Sequence, residues 1–135
     1  MADEYKEKLP YSNGELIVAK DSWKISYYFS PTDLRYNGIF FSIQGNKIDL
    51  YIDAYRKNWN RYAELKKAHH GMSGEIKIIG ELNMSIYIGG YLNGIRVSCY
   101  PTPIDSEVNL NNVIDSFVWA KKRAIDVMRT LRQVY

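Results

Sequence analysis

The chain has 135 residues, the length of one domain, and its 46% hydrophobic and 24% charged residues are close to globular averages. This balance excludes a disordered chain. The longest clean apolar run, Gly38 to Ile43, is far shorter than the roughly 20 residues of a membrane helix, and the charged N-terminus lacks the apolar core of a signal peptide. A lone cysteine, Cys99, excludes an internal disulfide. We therefore expect one cytoplasmic domain, residues 1–135, without membrane contact.

The net charge of +3 is unevenly distributed. Residues 119–135 contain one acidic residue, Asp126, and these basic residues: Lys121, Lys122, Arg123, Arg129 and Arg132. Such a face is typical either of a solvated helix or of a surface that meets an anion. Nucleic acid is therefore a possible partner, although the solvated face is the simpler interpretation.

Turn signals divide the first hundred residues. Two-residue turns are predicted at Asn13-Gly14, Asn37-Gly38, Gly45-Asn46 and Asn93-Gly94. Period-two alternation around them predicts two hairpins, Ile39–Gln44 with Lys47–Asp53 and Met84–Leu92 with Ile95–Tyr100. Further strands are expected at Glu15–Val18, Trp23–Phe29 and Glu75–Ile79.

Two helices are predicted. The first runs from Arg56 to His69, and the second from Asn109 or Asn111 to Gln133. The second helix has a heptad seam: Leu110, Val113, Phe117, Ala120, Ala124, Val127, Leu131 and Val134. A further apolar stripe lies beside it: Ile114, Val118, Ile125 and Met128. Two stripes favour a helix that packs on the sheet with one side and on a second helix with the other. That second helix is either the first helix, Arg56–His69, or the same helix of another subunit. We expect a homo-oligomer joined through residues 110–134.

The predicted fold class is α+β. Two-residue turns cannot connect parallel strands, so the sheet is expected to be antiparallel. We expect five to six strands in this sheet, with both helices on one face.

No pattern of catalytic or metal-ligating residues stands out. His69 and His70 are adjacent, so on a helix they point about 100° apart, and no third ligand has zinc-like spacing with them. Cys99 falls mid-strand on the face of Ile95 and Val97, which is typical of a small buried hydrophobe. No phosphate-binding glycine loop occurs. We therefore expect no catalytic residues, no metal, no cofactor and no enzyme activity.

The second predicted hairpin has features of an anion site. Glycine and Asn-Gly backbone can approach a phosphate closely, arginine can hold it, and tyrosine can stack on a base. The predicted ligand-binding residues are Arg56, Tyr87, Gly89, Gly90, Tyr91, Asn93, Arg96 and Tyr100. Lys57 and Arg61 lie close to Arg56 in the sequence. The alternative is a simple tight turn with solubilising arginines.

The segment Ile86–Arg96, with Arg56 as a further contact and a tyrosine-rich sheet followed by a long helix, resembles the phage proteins that counter Thoeris immunity. The resemblance implies a homo-oligomeric phage protein that sequesters a cyclic ADP-ribose signal in the host cytoplasm without cutting it. Twelve tyrosines are also consistent with a protein-binding inhibitor or adaptor. The basic C-terminal helix leaves nucleic-acid binding as a third hypothesis.

Overall fold

The computed structural model describes residues 4–11, 14–28, 39–69, 74–89, 93–96 and 104–134. Its strands are β1 (Tyr5–Lys8), β2 (Gly14–Val18), β3 (Trp23–Tyr28), β4 (Ile39–Gln44), β5 (Ile76–Ile79), β6 (Ser85–Ile88) and β7 (Gly94–Arg96). Its helices are α1 (Ile48–Ala68) and α2 (Glu107–Val134). Every strand pairing is antiparallel, which confirms the predicted α+β class. Neither helix has an apolar stretch long enough to cross a bilayer.

The chain groups into two compact units, residues 1–48 with 112–135 and residues 49–111. The single domain predicted for residues 1–135 stays a prediction beside this grouping. The strands divide accordingly into a four-stranded sheet, β1-β2-β3-β4, and a three-stranded sheet, β5-β6-β7. The expectation of one sheet with five to six strands is therefore wrong for the described residues.

In the first unit, a row of aliphatic side chains crosses the four-stranded sheet. Leu16 pairs with Ile25, and Ile25 pairs with Ile43. All three side chains are buried, as expected for directly opposed residues on the inner face of a sheet. The predicted strands Glu15–Val18, Trp23–Phe29 and Ile39–Gln44 agree with β2, β3 and β4 over the described residues.

Side-chain hydrogen bonds join helix α2 to strand β1 in the first unit. The Arg123 Nε–H donates to Glu7 Oε1 at 2.8 Å, and its Nη2–H donates to the Tyr5 hydroxyl at 2.9 Å. One face of α2 is buried: Leu110, Val113, Ile114, Phe117, Ala120, Ala124 and Val127. Most of the predicted heptad seam therefore belongs to the core of the single chain. Among the described side chains of residues 110–133, Ile125 is the only large apolar one that is exposed.

The pKa of Glu7 provides a test of this contact. The pKa is held below its ordinary value, first by the hydrogen bond from Tyr5 and then by the hydrogen bond from Arg123. Glu7 therefore contributes stability above its unfolded pKa, and this contribution is lost as the pH falls through the lower folded pKa. Arg123→Met is expected to raise the Glu7 pKa part of the way toward about 4.3, because the Tyr5 bond remains. Carboxyl-carbon NMR titration measures it. Lys122→Met, on the exposed side of the same helix, is the control, and an unchanged pKa in Arg123→Met would contradict the contact.

In the second unit, the inner face of the three-stranded sheet is rich in isoleucine. Ile78 pairs with Ile86, and Ile86 pairs with Ile95. Ile86 and Ile95 are fully buried. From α1, Tyr55, Asn58 and Tyr62 are buried as well.

The predicted hairpin at Gly45-Asn46 is wrong. Strand β4 ends at Gln44, a single 3₁₀ turn follows at Gly45–Lys47, and α1 begins at Ile48 rather than at Arg56. Residues 48–53 fit both periods, because Ile48 and Ile52 are two steps of a strand face and also one helical turn apart. In the helix Ile48 and Ile52 are buried, while Leu50, which the strand would have placed beside them, is 52% exposed.

The predicted two-residue turn at Asn93-Gly94 is also wrong. Tyr87 pairs with Gly94, so Gly94 already lies in β7 and the connection spans residues 89–93. Glycine at position 94 instead allows the backbone of β7 to lie close to the backbone of Ile104. Ile95 exchanges two backbone hydrogen bonds with Ile104, at 2.9 and 2.8 Å, and a Cβ on Gly94 would lie 2.4 Å from the Ile104 carbonyl oxygen.

Two other features differ from the sequence predictions or escape them. Strand β1, with the charged sequence Tyr-Lys-Glu-Lys, was not predicted because it lacks an apolar face. The Asn37-Gly38 turn, Cys99 and the segment 97–100 of the predicted last strand lie outside the described residues.

Candidate functional site

Arg56 does not begin a helix. It lies inside α1 and is exposed to solvent, so the helix N-terminus does not help it to attract an anion. It forms no hydrogen bond or ion pair with another described residue. Its predicted partner Arg96 lies in β7, where its backbone pairs with Ser85. The described residues thus give no support for a phosphate held jointly by Arg56 and Arg96.

The structure does bring two of the predicted residues together. The backbone N–H of Gly89, at a φ of +87°, donates to the side-chain oxygen of Asn93 at 2.8 Å. Tyr87 is half-buried, and the Lys77 ammonium lies 5.7 Å from the centre of its ring. The Gly89 donor is therefore already used within the chain. Gly90, Tyr91 and Tyr100 lie outside the described residues.

His69 is the described member of the histidine pair. Its Nε2–H donates to the Gly74 carbonyl oxygen at 3.1 Å, and its Nδ1 is buried without a partner among the described residues. No group of three or more His, Cys, Asp or Glu side chains suited to a metal occurs in the described part of the chain. The expectation of no catalytic residues stays a prediction.

A cavity beside α1 brings aromatic and basic side chains together, which the described residues of the predicted site do not. It measures about 510 Å³ and is lined by Trp59, Tyr62, Ala63, Lys66, Lys67, Asp105 and Ser106. We call it the aromatic cavity. Its five α1 residues recur at helical spacings of three and four, so they form one stripe on the helix surface.

Two aromatic rings form one wall of the aromatic cavity. The ring centres of Trp59 and Tyr62 are 5.2 Å apart with their planes inclined at 41°. The Lys66 ammonium lies 5.6 Å from the centre of the Tyr62 ring, within the range of a cation–π contact. This contact holds the Lys66 charge beside the rings.

The rest of the lining comes from the two residues that precede α2, Asp105 and Ser106. The Ser106 hydroxyl accepts the Asn109 backbone N–H at 3.2 Å, the usual geometry of a helix N-cap. The Asp105 carboxylate accepts from the Asn109 side-chain amide at 2.9 Å. These bonds fix the two residues that line the cavity, so this part of the lining is ordered before any ligand arrives.

The charges in the aromatic cavity favour an anion. Two cations, Lys66 and Lys67, face one carboxylate, Asp105, which already accepts a hydrogen bond. An ammonium makes charge-assisted hydrogen bonds to phosphate or carboxylate oxygens, and Trp and Tyr rings stack on flat rings. The arrangement can hold a small molecule that combines a planar ring with a negative charge.

The other described cavities fit such a ligand less well. One of about 380 Å³ in the first unit contains Trp23 but no lysine or arginine. Another of about 440 Å³ in the second unit contains Lys57 and Arg61, which the sequence analysis placed near an anion, but no aromatic ring. There the Lys57 ammonium already binds Asp53 at 2.9 Å.

The sequence analysis selected none of the residues that line this cavity: Trp59, Tyr62, Ala63, Lys66, Lys67, Asp105 and Ser106. Two local patterns in the sequence could have indicated these residues. On α1, an aromatic pair three residues apart is followed one turn later by two lysines. Before α2, Ser106 is a typical N-cap residue. What joins the two sides is tertiary packing, which no local pattern reveals.

Comparisons with protein-family models, curated proteins and solved structures found no match. The resemblance to Thoeris anti-defence proteins therefore stays a prediction. Function must be argued from the chemistry of the cavities themselves.

Proposed function

We propose that this protein binds a small anionic ligand with a planar ring in the aromatic cavity, and that it sequesters the ligand without altering it. The observation that supports this proposal is that the Trp59 ring, packed on the buried Tyr62 ring, lines one cavity together with Lys66 and Lys67. The volume lies within the range of about 300–1,000 Å³ that is usual for small-molecule sites.

Nucleotides are the ligand class that matches both halves of the cavity. A base can stack on Trp59, and a phosphate can reach the lysines. Base stacking contributes about 1–3 kcal/mol, and a charge-assisted hydrogen bond about 1.5–3 kcal/mol. The cost of immobilising the ligand offsets part of this sum. A cyclic ADP-ribose signal, which the resemblance implies, has the required ring and phosphates.

Calorimetry tests the proposal directly. Adenosine, ribose 5-phosphate, AMP, cyclic AMP and cyclic ADP-ribose isomers are titrated into wild type and three variants. Trp59→Leu is expected to weaken binding of the best nucleotide about 10- to 100-fold through loss of stacking. Lys66→Gln is expected to weaken it about tenfold or more and to reduce its salt dependence, since one charge is lost.

Arg56→Ala is the matched control, because Arg56 is an exposed cation on the same helix and belongs to the first predicted site. Its affinity should equal that of wild type. Ligand recovered after incubation should be chemically intact. Binding that tolerates Trp59→Leu but is lost in Arg56→Ala would replace the aromatic cavity by the β6–β7 site. Hydrolysed ligand would contradict sequestration, and no binding below about 100 µM would contradict the proposal altogether.

Neither alternative function has an observation of this kind behind it. Of the tyrosines whose side chains are described, only Tyr11 is strongly exposed, at 70%; three are buried and the others are half-buried. On the C-terminal helix, Arg123 binds Glu7, Arg129 approaches Asp126 at 3.9 Å, and Arg132 donates to the Lys20 carbonyl oxygen. The basic face is thus partly engaged with the chain itself, which disfavours nucleic acid.

A further inference from the structure

The turn between β5 and β6 exposes two large apolar side chains. Ile79, at the end of β5, is 58% exposed, and Leu82, in the turn, is 46% exposed. In the three-stranded sheet β5 is an edge strand, so no other strand of that sheet covers its outer side. Because most of the heptad seam on α2 is buried within the chain, this turn is a second candidate surface for contact with another copy.

The backbone of this turn is held in a costly conformation. Leu82 and Asn83 have φ of +53° and +58°, the left-handed region. Asn and Gly occupy this region readily, whereas a leucine there costs roughly 1 kcal/mol or more. The side chain of Leu82 recovers little of that cost within the chain, because nearly half of it faces solvent.

A buried asparagine holds the turn in place. Asn58 in α1 is 2% exposed. Its side-chain oxygen accepts the Glu81 N–H at 2.8 Å, and its amide donates to the Glu81 carbonyl oxygen and to the Met84 sulfur, both at 3.1 Å. The turn is therefore presented as a rigid element rather than as a loose loop.

Opposite charges lie beside these apolar residues. Arg61 and Glu81 line the same cavity of about 440 Å³ together with Ile79. Neither charged side chain forms an ion pair with another described residue. We call Ile79, Leu82, Arg61 and Glu81 the hairpin patch. Glu81 also lies within electrostatic reach of Lys57, which lines the same cavity and binds Asp53. A surface with an apolar centre and charges of both signs complements itself under a two-fold rotation, as an isologous interface requires.

We infer that the hairpin patch joins two copies of this chain about a two-fold axis. Ile79 and Leu82 pack against the same residues of the second copy, and Arg61 of each copy pairs with Glu81 of the other. The patch is small compared with the roughly 800 Å² per partner of a standard interface, so the dimer belongs to the weak, micromolar class. None of the four residues lines the aromatic cavity, so this inference stands independently of the proposed ligand site.

Sedimentation equilibrium and native mass spectrometry at about 100 µM protein test the dimer. Leu82→Asn is the informative apolar change, because Asn favours the left-handed backbone and should leave the fold at least as stable as wild type. Its dimer dissociation constant is expected to rise about tenfold or more. Ile125→Asn, which changes an exposed apolar residue of α2, is the matched control and should leave the dimer intact.

The charge pair has its own test. Arg61→Glu and Glu81→Arg each place like charges across the two-fold axis, so each variant alone should be monomeric. An equimolar mixture of the two should form the mixed dimer only, since each copy then meets opposite charges. A monomeric wild type at about 100 µM, a dimer insensitive to Leu82→Asn, dissociation by Ile125→Asn instead, or no mixed dimer would each overturn the inference.

Discussion

Gly94→Ala is expected to destabilise the protein by about 3–5 kcal/mol, measured by urea unfolding. At Gly94 the φ of +120° is unfavourable for alanine, and the new Cβ would lie 2.4 Å from the Ile104 carbonyl oxygen and 2.9 Å from its carbon. Both contacts are backbone atoms, which cannot rotate away as a side chain can. Relief therefore requires separation of β7 from Ile104, which stretches the two hydrogen bonds that Ile95 makes there.

Gly74→Ala is the matched control for this prediction. Gly74 also has a positive φ, +100°, but a Cβ there would meet no atom within 4 Å. Its cost should be that of backbone strain alone, about 1–2 kcal/mol. Equal losses at the two positions would mean that the dihedral angle, and not the close approach to Ile104, explains why glycine occupies position 94.

Asn58→Leu is expected to lower the free energy of unfolding by about 3–4 kcal/mol. Leucine keeps the branched skeleton of four heavy atoms but is larger than asparagine, and it removes all three hydrogen bonds to the β5–β6 turn. The Glu81 N–H then loses its side-chain acceptor, and the Glu81 carbonyl oxygen keeps only the bond from the Met84 backbone N–H. The left-handed residues Leu82 and Asn83 therefore lose their link to α1. Urea unfolding measures the stability, and hydrogen exchange of the Glu81 amide measures the local effect.

Asn60→Leu serves as the comparison, since Asn60 is an exposed residue of the same helix. It should change stability by less than about 0.5 kcal/mol. A Glu81 amide that exchanges equally slowly in Asn58→Leu and in wild type would show that Asn58 does not hold the turn. The dimer inference would then lose the rigidity of its surface.

The elements with a one-sided local pattern were predicted correctly from the sequence. Helix α2, predicted from Asn109 or Asn111 to Gln133, runs from Glu107 to Val134. Its apolar spacing extends over many turns, and the Ser106 cap that precedes it is also local. Strand β3, Trp23–Tyr28, agrees with the predicted Trp23–Phe29 over the described residues.

Other features depended on contacts between distant segments. Residues 48–53 satisfy strand and helix periods alike, and the choice followed from which side chains could be buried together. The packing of α2 also depended on distant contacts. The sequence showed two apolar stripes on this helix, but it did not show which stripe is buried within the chain.

The sequence by itself determined the α+β class and the positions of β2, β3, β4 and α2, because these follow from hydrophobic period and local capping. The antiparallel pairing was also predicted, but two of the turns from which it was argued, Gly45-Asn46 and Asn93-Gly94, are not two-residue turns. Tertiary structure alone decided the division into two sheets, the role of Gly94 and the position of the candidate site. The reason is physical: the aromatic cavity joins residues 59–67 to residues 105–106, and Gly94 is required by Ile104. Contacts between segments so far apart produce no periodic pattern in the sequence, since the residues of each segment are explained by their own helix or strand.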